Sequence, residues 1–221
     1  MNFTDRKGLI RHSLILLCIT VAGLIASLFY IDLALAHLFS RPELEKVYYY
    51  SREITNVGYS IHYFLLALIG IVFSWLVYPR SQYLKLKITA AQNMNIYQWS
   101  VFSVRALLFI GISLNILKFI IGRQRPHSAA EFFNLNFEMF TFNSHWHSFP
   151  SGHSQVMFTV ATIALLIWPK QKYIFLSLAG IFALTRITIH QHFLSDILAG
   201  GMIGHLLTLW LYQLWPPKLA N

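Results

Sequence analysis

The sequence predicts an all-α fold, a polytopic membrane helix bundle with six transmembrane helices, on three observations. The 221 residues are 56% hydrophobic and only 11% charged, too apolar for an ordinary soluble domain. The apolar residues gather into runs near the roughly 20 residues needed to cross about 30 Å of hydrocarbon. The 17 lysines and arginines stand singly or in pairs between those runs. They form no basic stripe with interleaved aromatics, so the formal charge of +9 does not point to nucleic acid.

The first apolar run covers about 14 to 30. Arg6, Lys7 and Arg11 before it and Ala34-Leu35-Ala36 after it imitate a secretory signal with its cleavage site. The run is longer than a usual signal core and is expected to stay as an uncleaved anchor. Cys18, the single cysteine, lies inside it and can form no intramolecular disulfide. Residues 41–56 mix charges with Tyr48, Tyr49 and Tyr50, which suits an interfacial helix, because tyrosine favours the membrane–water boundary.

A second span covers about 57 to 77 and ends at Pro79. A basic loop with Arg80, Lys85 and Lys87 leads to a third span, about 106 to 121. After a loop rich in Phe, Asn and His, the fourth span covers about 154 to 168 and is closed by Pro169. The fifth and sixth cover about 173 to 189 and 194 to 215, the last stopping at Pro216-Pro217. No internal repeat, long linker or low-complexity segment interrupts the chain, which reads as one domain over 1–221 with a motif-bearing core at about 106–215.

Loop charge orients the spans. The N-terminus, the loop after span two, the turn after span four and the C-terminus hold ten of the 17 basic residues: Arg6, Lys7, Arg11, Arg80, Lys85, Lys87, Arg105, Lys170, Lys172 and Lys218. The positive-inside bias makes that side cytoplasmic, with both termini there. Three polar clusters then fall together on the outer face. They are Lys118 with Arg123 and Arg125-Pro126; Pro150-Ser151-Gly152-His153; and Thr185-Arg186 with His192 and Asp196. Ionisable groups beside membrane spans are functional candidates by default.

These residue types suit phosphoryl transfer, in which catalysis is mostly positioning and electrostatic stabilisation of three charged oxygens. Lys118, Arg125 and Arg186 supply fixed positive charge, and the arginines can grip oxygens in a bidentate fork. Gly152 lets the backbone approach a phosphate, N–H groups at the start of span four can donate to it, and Ser151 adds a hydroxyl. His192 and Asp196 share a helix face if that segment is helical. The carboxylate would fix the imidazole tautomer and leave the other ring nitrogen free to attack phosphorus. His153 is the candidate acid for the leaving oxygen and afterwards the base for water. The cations do the work of a metal, so neither metal nor cofactor is expected.

Lys118-x6-Arg125-Pro126, Pro150-Ser151-Gly152-His153 and Arg186-x5-His192-x3-Asp196 resemble the three signature motifs of the type 2 phosphatidic acid phosphatase family. The resemblance covers roughly 118 to 196 and implies a six-helix membrane core, metal-independent dephosphorylation and a nucleophilic histidine in the third motif. It assigns phosphate binding to Lys118, Arg125, Ser151, Gly152 and Arg186, the acid to His153, the nucleophile to His192 and its partner to Asp196. The third motif departs from the pattern in opening with Thr185 instead of serine.

The function expected is that of a lipid phosphatase on the outer face of a bacterial inner membrane. Its substrate would be phosphatidic acid, phosphatidylglycerophosphate, undecaprenyl diphosphate or a lipid A phosphate, and its oligomeric state is not legible. A phosphotransferase would use the same histidine but pass the phosphate to an acceptor lipid. An anionic-lipid transporter would explain the cations but not the pairing of His192 with Asp196. Around the motifs, His145 and His147 suit loop polarity or substrate contact better than zinc, lacking a ligand set. Arg123 is expected to touch a diphosphate or lipid headgroup or to snorkel to the interface. His190 is placed outside the site, and Gly200 and Gly204 suit close helix packing. His205 is expected to be a hydrogen-bonded interhelical residue, and the aromatic segment from Phe132 to Phe149 an interface anchor.

Overall fold

A computed structural model of the chain describes residues 6–80, 83, 85–128 and 135–220. Eight α-helices carry the fold among them: α1 Arg6–Ala26, α2 Asp32–Phe39, α3 Glu45–Ile54, α4 Ser60–Val72, α5 Ala90–Ile121, α6 Gly152–Ile167, α7 Lys172–Thr188 and α8 Leu194–Leu214. Described residues contain no strand, only an isolated bridge between Arg123 and Phe137. Phe132, where the aromatic anchor segment was expected to begin, lies outside the described residues.

Among the described residues, four helical stretches are long and apolar enough to cross a membrane: Arg6–Phe39, Pro42–Arg80, Ala90–Ile121 and Leu194–Leu214. In the first, a π-helical turn over Ser27–Ile31 joins α1 to α2 without a break. The second includes α3, the expected interfacial helix. Helices α6 and α7 are shorter, with 16 and 17 residues. Helix α5 begins some sixteen residues before the expected third span. Gln92, Asn93, Asn95 and Gln98 lower the hydropathy of that extension, while a capping box starts it: the Gln92 amide donates to the Thr89 hydroxyl and the Thr89 amide donates to the Gln92 side chain.

Helices α6 and α8 form the centre. Helix α6 packs against α7 and α8, α1 against α8, and α4 against α5. Glycine permits the closest approach. A Cβ on Gly200 would run into the Ser151 carbonyl and one on Gly204 into the Gln155 carbonyl, so the α6–α8 contact needs both hydrogens. The apolar core includes Phe102, Ala106 and Ile110 of α5 with Ile163 and Leu211, and farther along Ala183, Ile187 and Ile197. Outward faces stay apolar, as at Ile19, Phe29, Leu66, Ile112 and Ile181.

One buried polar chain links α6, α8 and α1. Thr162 meets the His205 ring at 2.7 Å, and the other ring nitrogen of His205 meets His12 at 3.1 Å. His205 is therefore interhelical, as its position in an apolar span implies.

Candidate active site

The C-terminal ends of α5 and α7 meet the N-terminal ends of α6 and α8 at one end of the bundle. Helix α5 stops at Gly122, which takes φ +58° and caps it, its N–H donating to the Lys118 carbonyl at 2.9 Å. A side chain there would also collide with the Glu138 carbonyl. Residues 135–148 fold back along the emerging chain. Gln124 donates to Asn136, Arg125 to His145 and Ser148 to Arg123 through backbone bonds of 2.8–3.0 Å. On the opposite side, the Ser151 amide donates to the Asp196 carbonyl at 2.9 Å and the His192 amide to the Arg186 carbonyl at 3.2 Å. Backbone bonds thus tie the second motif to the third, and bind the ends of the third to each other.

The cations converge without being used up. Lys118 is buried and spends one ammonium proton on the His147 carbonyl at 2.7 Å, leaving two. Arg125 is fixed by Ser144 at 3.0 Å and Gln191 at 2.6 Å. Arg186 donates to Thr55 at 3.1 Å, while its buried Nε meets no acceptor. His153 stands edge-on to Tyr59, ring centroids 4.9 Å apart, and its buried Nε2 has no partner either. Buried polar groups are normally satisfied. Two unmatched nitrogens at the cationic end of the bundle suit an anion chemically.

That place opens into a cavity of about 370 Å³ between α4, α5 and α6. Lys118, Gly152 and His153 form its polar end, and Phe64, Leu107 and Leu108 its apolar wall. Gly152 faces the cavity without being squeezed, since an added Cβ would meet Leu114 and Lys118 only at 3.8–3.9 Å. Ser151 is fully buried; its oxygen accepts the Ser154 amide at 3.4 Å and caps α6.

His192 sits in the turn before α8, its Nδ1 3.6 Å from Asp196 Oδ2 and 3.5 Å from Ser148 Oγ. The carboxylate contact is of ion-pair length and long for a hydrogen bond. Burial above all holds the imidazole well below its ordinary range; Asp196 pulls the other way, and Lys118 and Arg125 add to the lowering. Burial likewise pushes the Arg125 guanidinium down, against the pull of Asp196. These effects disfavour the protonated imidazole.

Asp196 is held on every side. Its Oδ1 accepts from Arg123 at 2.5 Å, and its Oδ2 accepts from Ser148 at 2.6 Å and from the Phe193 amide at 2.8 Å. Arg123, 1% exposed, also donates to Asp32 at 2.9 Å and Ser195 at 2.7 Å, and lies 4.4 Å over the Phe193 ring. This overturns both expectations for Arg123. It neither snorkels nor faces a headgroup, because two buried carboxylates hold it inside.

Thr185 donates to the Phe182 carbonyl at 2.6 Å within its own helix. His145 and His147 fasten the loop, bonding Ser128 at 2.9 Å and the Thr141 carbonyl at 2.8 Å. His190 stacks on Tyr48, outside the site.

All eight expected site residues therefore gather at one end of the bundle. Sequence reasoning missed Asp32, Ser148, Ser195, Thr55 and Tyr59. Only Asp32 carried a signal, as a carboxylate within an apolar run.

The chain is 29% identical over 141 residues to a lipid A 1-phosphatase of Rhizobium johnstonii, covering 59% of this chain and 58% of that protein. It is 30% identical over 121 residues to a lipid A 1-phosphatase of Rhizobium etli, covering 55% and 52%. The chain thus spans a little over half the length of these relatives. A crystal structure of the first transmembrane PAP2 type phosphatidylglycerolphosphate phosphatase from Bacillus subtilis aligns over 90% of this chain and 93% of that one, with 19% identity and a TM-score of 0.49. The PAP2 superfamily model matches residues 99–219, more than half of the chain and all three motifs, so this integral membrane protein belongs to the PAP2 superfamily.

Proposed function

We propose that the chain is a metal-independent phosphatase that hydrolyses a lipid phosphate or diphosphate through a phosphohistidine on His192. The observation that carries this is the buried imidazole of His192, backed by Asp196 at 3.6 Å and set in the field of Lys118 and Arg125, with Arg186 and the unpartnered His153 Nε2 at the same end of the bundle. His192 Nε2 attacks phosphorus and the bond from phosphorus to the lipid oxygen breaks. That oxygen takes a proton from His153, which the arriving phosphate dianion allows to carry one. Asp196 stabilises the positive charge left on the phosphorylated ring. His153 then takes a proton from water, the oxygen attacks phosphorus, the P–N bond breaks and inorganic phosphate leaves.

The cavity fits a lipid phosphate, with its polar end for the headgroup and its apolar wall for a chain. Six crossings follow if α6 and α7 also traverse the bilayer. At about 1.5 Å per residue they span about 24–26 Å, short of the hydrocarbon thickness. Their packing against α8 and each other lets protein instead of lipid cover their ends. Loop charge then sets the termini in the cytoplasm and the site on the outer face, the periplasmic side of a bacterial inner membrane. The names of the Rhizobium relatives make lipid A the first substrate to test, ahead of phosphatidylglycerophosphate, phosphatidic acid and undecaprenyl diphosphate.

The test is release of inorganic phosphate from these four lipids by detergent-purified protein in EDTA, with His192→Ala beside it. Release by the parent chain and a loss of at least about 1,000-fold in the variant are expected. Dependence on a divalent metal, or substantial turnover by the variant, would remove the mechanism. Phosphate appearing on an acceptor lipid instead of in solution would make the protein a transferase.

A further inference from the structure

Asp32 lies far outside residues 99–219, at the start of α2, yet its carboxylate is 1% exposed and points at the site. The π-helical turn Ser27–Ile31 shifts the register of the first helix just before it. Four donors converge on Asp32: Ser27 Oγ and Ser195 Oγ at 2.5 Å each, Arg123 at 2.9 Å and the Ser195 amide at 3.0 Å. Arg123 is therefore one cation bonded to two carboxylates, Asp32 through one nitrogen and Asp196 through another.

The charge count matters at such depth. With Asp32 present, the group Asp32–Arg123–Asp196 carries a net charge of −1. With a neutral side chain at 32, Arg123 would cancel Asp196 outright. The groups facing His192 are then mostly cationic. Lys118 comes from α5 and Arg125 from the loop after it, with Arg186 of α7 and His153 of α6 at the same end; Asp196 of α8 is the counterweight. A phosphorylated imidazole is positive, so it needs that counterweight uncancelled.

We infer that Asp32 is a positioning residue for the reaction, sharing the charge of Arg123 so that Asp196 keeps the negative charge that steadies His192 while phosphorus is attached. This rests on the phosphohistidine reading above. It makes the first helical stretch part of the working site, although Asp32 touches neither His192 nor phosphate.

The test compares the full chain with Asp32→Asn and with Asp32→Asn/Arg123→Gln. The double variant has the same net charge as the parent group. Each is assayed for phosphate release from lipid A in detergent micelles across pH, and each is labelled with ¹⁵N-histidine so that His192 can be titrated by NMR. In Asp32→Asn, kcat falls about 10- to 100-fold, the loss expected when an outer partner of a reactive imidazole is removed. KM changes little, and the His192 titration and the acid limb both move to lower pH. In the double variant both move back toward the parent values.

An unchanged kcat and titration in Asp32→Asn would overturn the assignment. So would a fall in kcat without a shift, or failure of both variants to fold, since Asp32 would then be only structural. The titration requires no substrate. A parent chain that releases no phosphate sinks the phosphatase reading alone, and the charge assignment is still decided by the NMR shift.

Discussion

The hydroxyl of Ser148 donates to Asp196 Oδ2 at 2.6 Å, the same oxygen that faces His192 Nδ1. Ser148 thus sets which way the carboxylate turns, and with it the tautomer that His192 must adopt. A hydrogen bond to a buried charged group is worth about 1.5–3 kcal/mol. Ser148→Ala should therefore lower kcat by about 10- to 150-fold while leaving KM close to the parent value. Steady-state phosphate release, with a thermal melt to show the fold intact, measures this. A rise in KM alone would place Ser148 among substrate contacts instead.

Acidity should act through His192. Its folded-state pKa is depressed, first by burial and then by Lys118 and Arg125 against the pull of Asp196. The acid limb of kcat/KM should consequently lie below the ordinary imidazole value of about 6.5. Stability follows the same sign. Between the folded and unfolded pKa values the unfolded chain binds the proton more readily, so stability present above about pH 6.5 is lost as pH falls below it. His127 and His190, also lowered by burial, add in the same direction. A pH series of melting temperatures checks this, and a melting point that rises on acidification through that window would contradict it.

The glycines of α8 separate packing from catalysis. Gly200→Ala puts a methyl into the backbone of Ser151, the residue that opens α6 at the site. Gly204→Ala does the same at Gln155, one turn farther from it. Each should cost about 1–3 kcal/mol by overpacking, but only Gly200→Ala should also depress kcat strongly. Gly180→Ala meets nothing within 4 Å and should leave both unchanged. Thermal melts and kcat for the three variants test the assignment. Equal losses of kcat at 200 and 204 would mean that the site responds to the bundle as a whole.

The amino-acid order determined the helical class and the positions of most apolar spans, and it singled out eight residues that the fold brings to one end of the bundle. Spacing along one helix decides which side chains share a face, and residue chemistry decides what each can do there. It could not show that Arg123 faces inward, because the partners that hold it are 91 residues before it at Asp32 and 73 after it at Asp196. Nor could it reveal Ser148, which bonds a residue 48 positions away. Those contacts exist only once Gly200 and Gly204 let α6 and α8 close on each other and α1 packs along α8. A buried carboxylate takes whichever donors that packing brings within reach, and sequence separation places no limit on which they are.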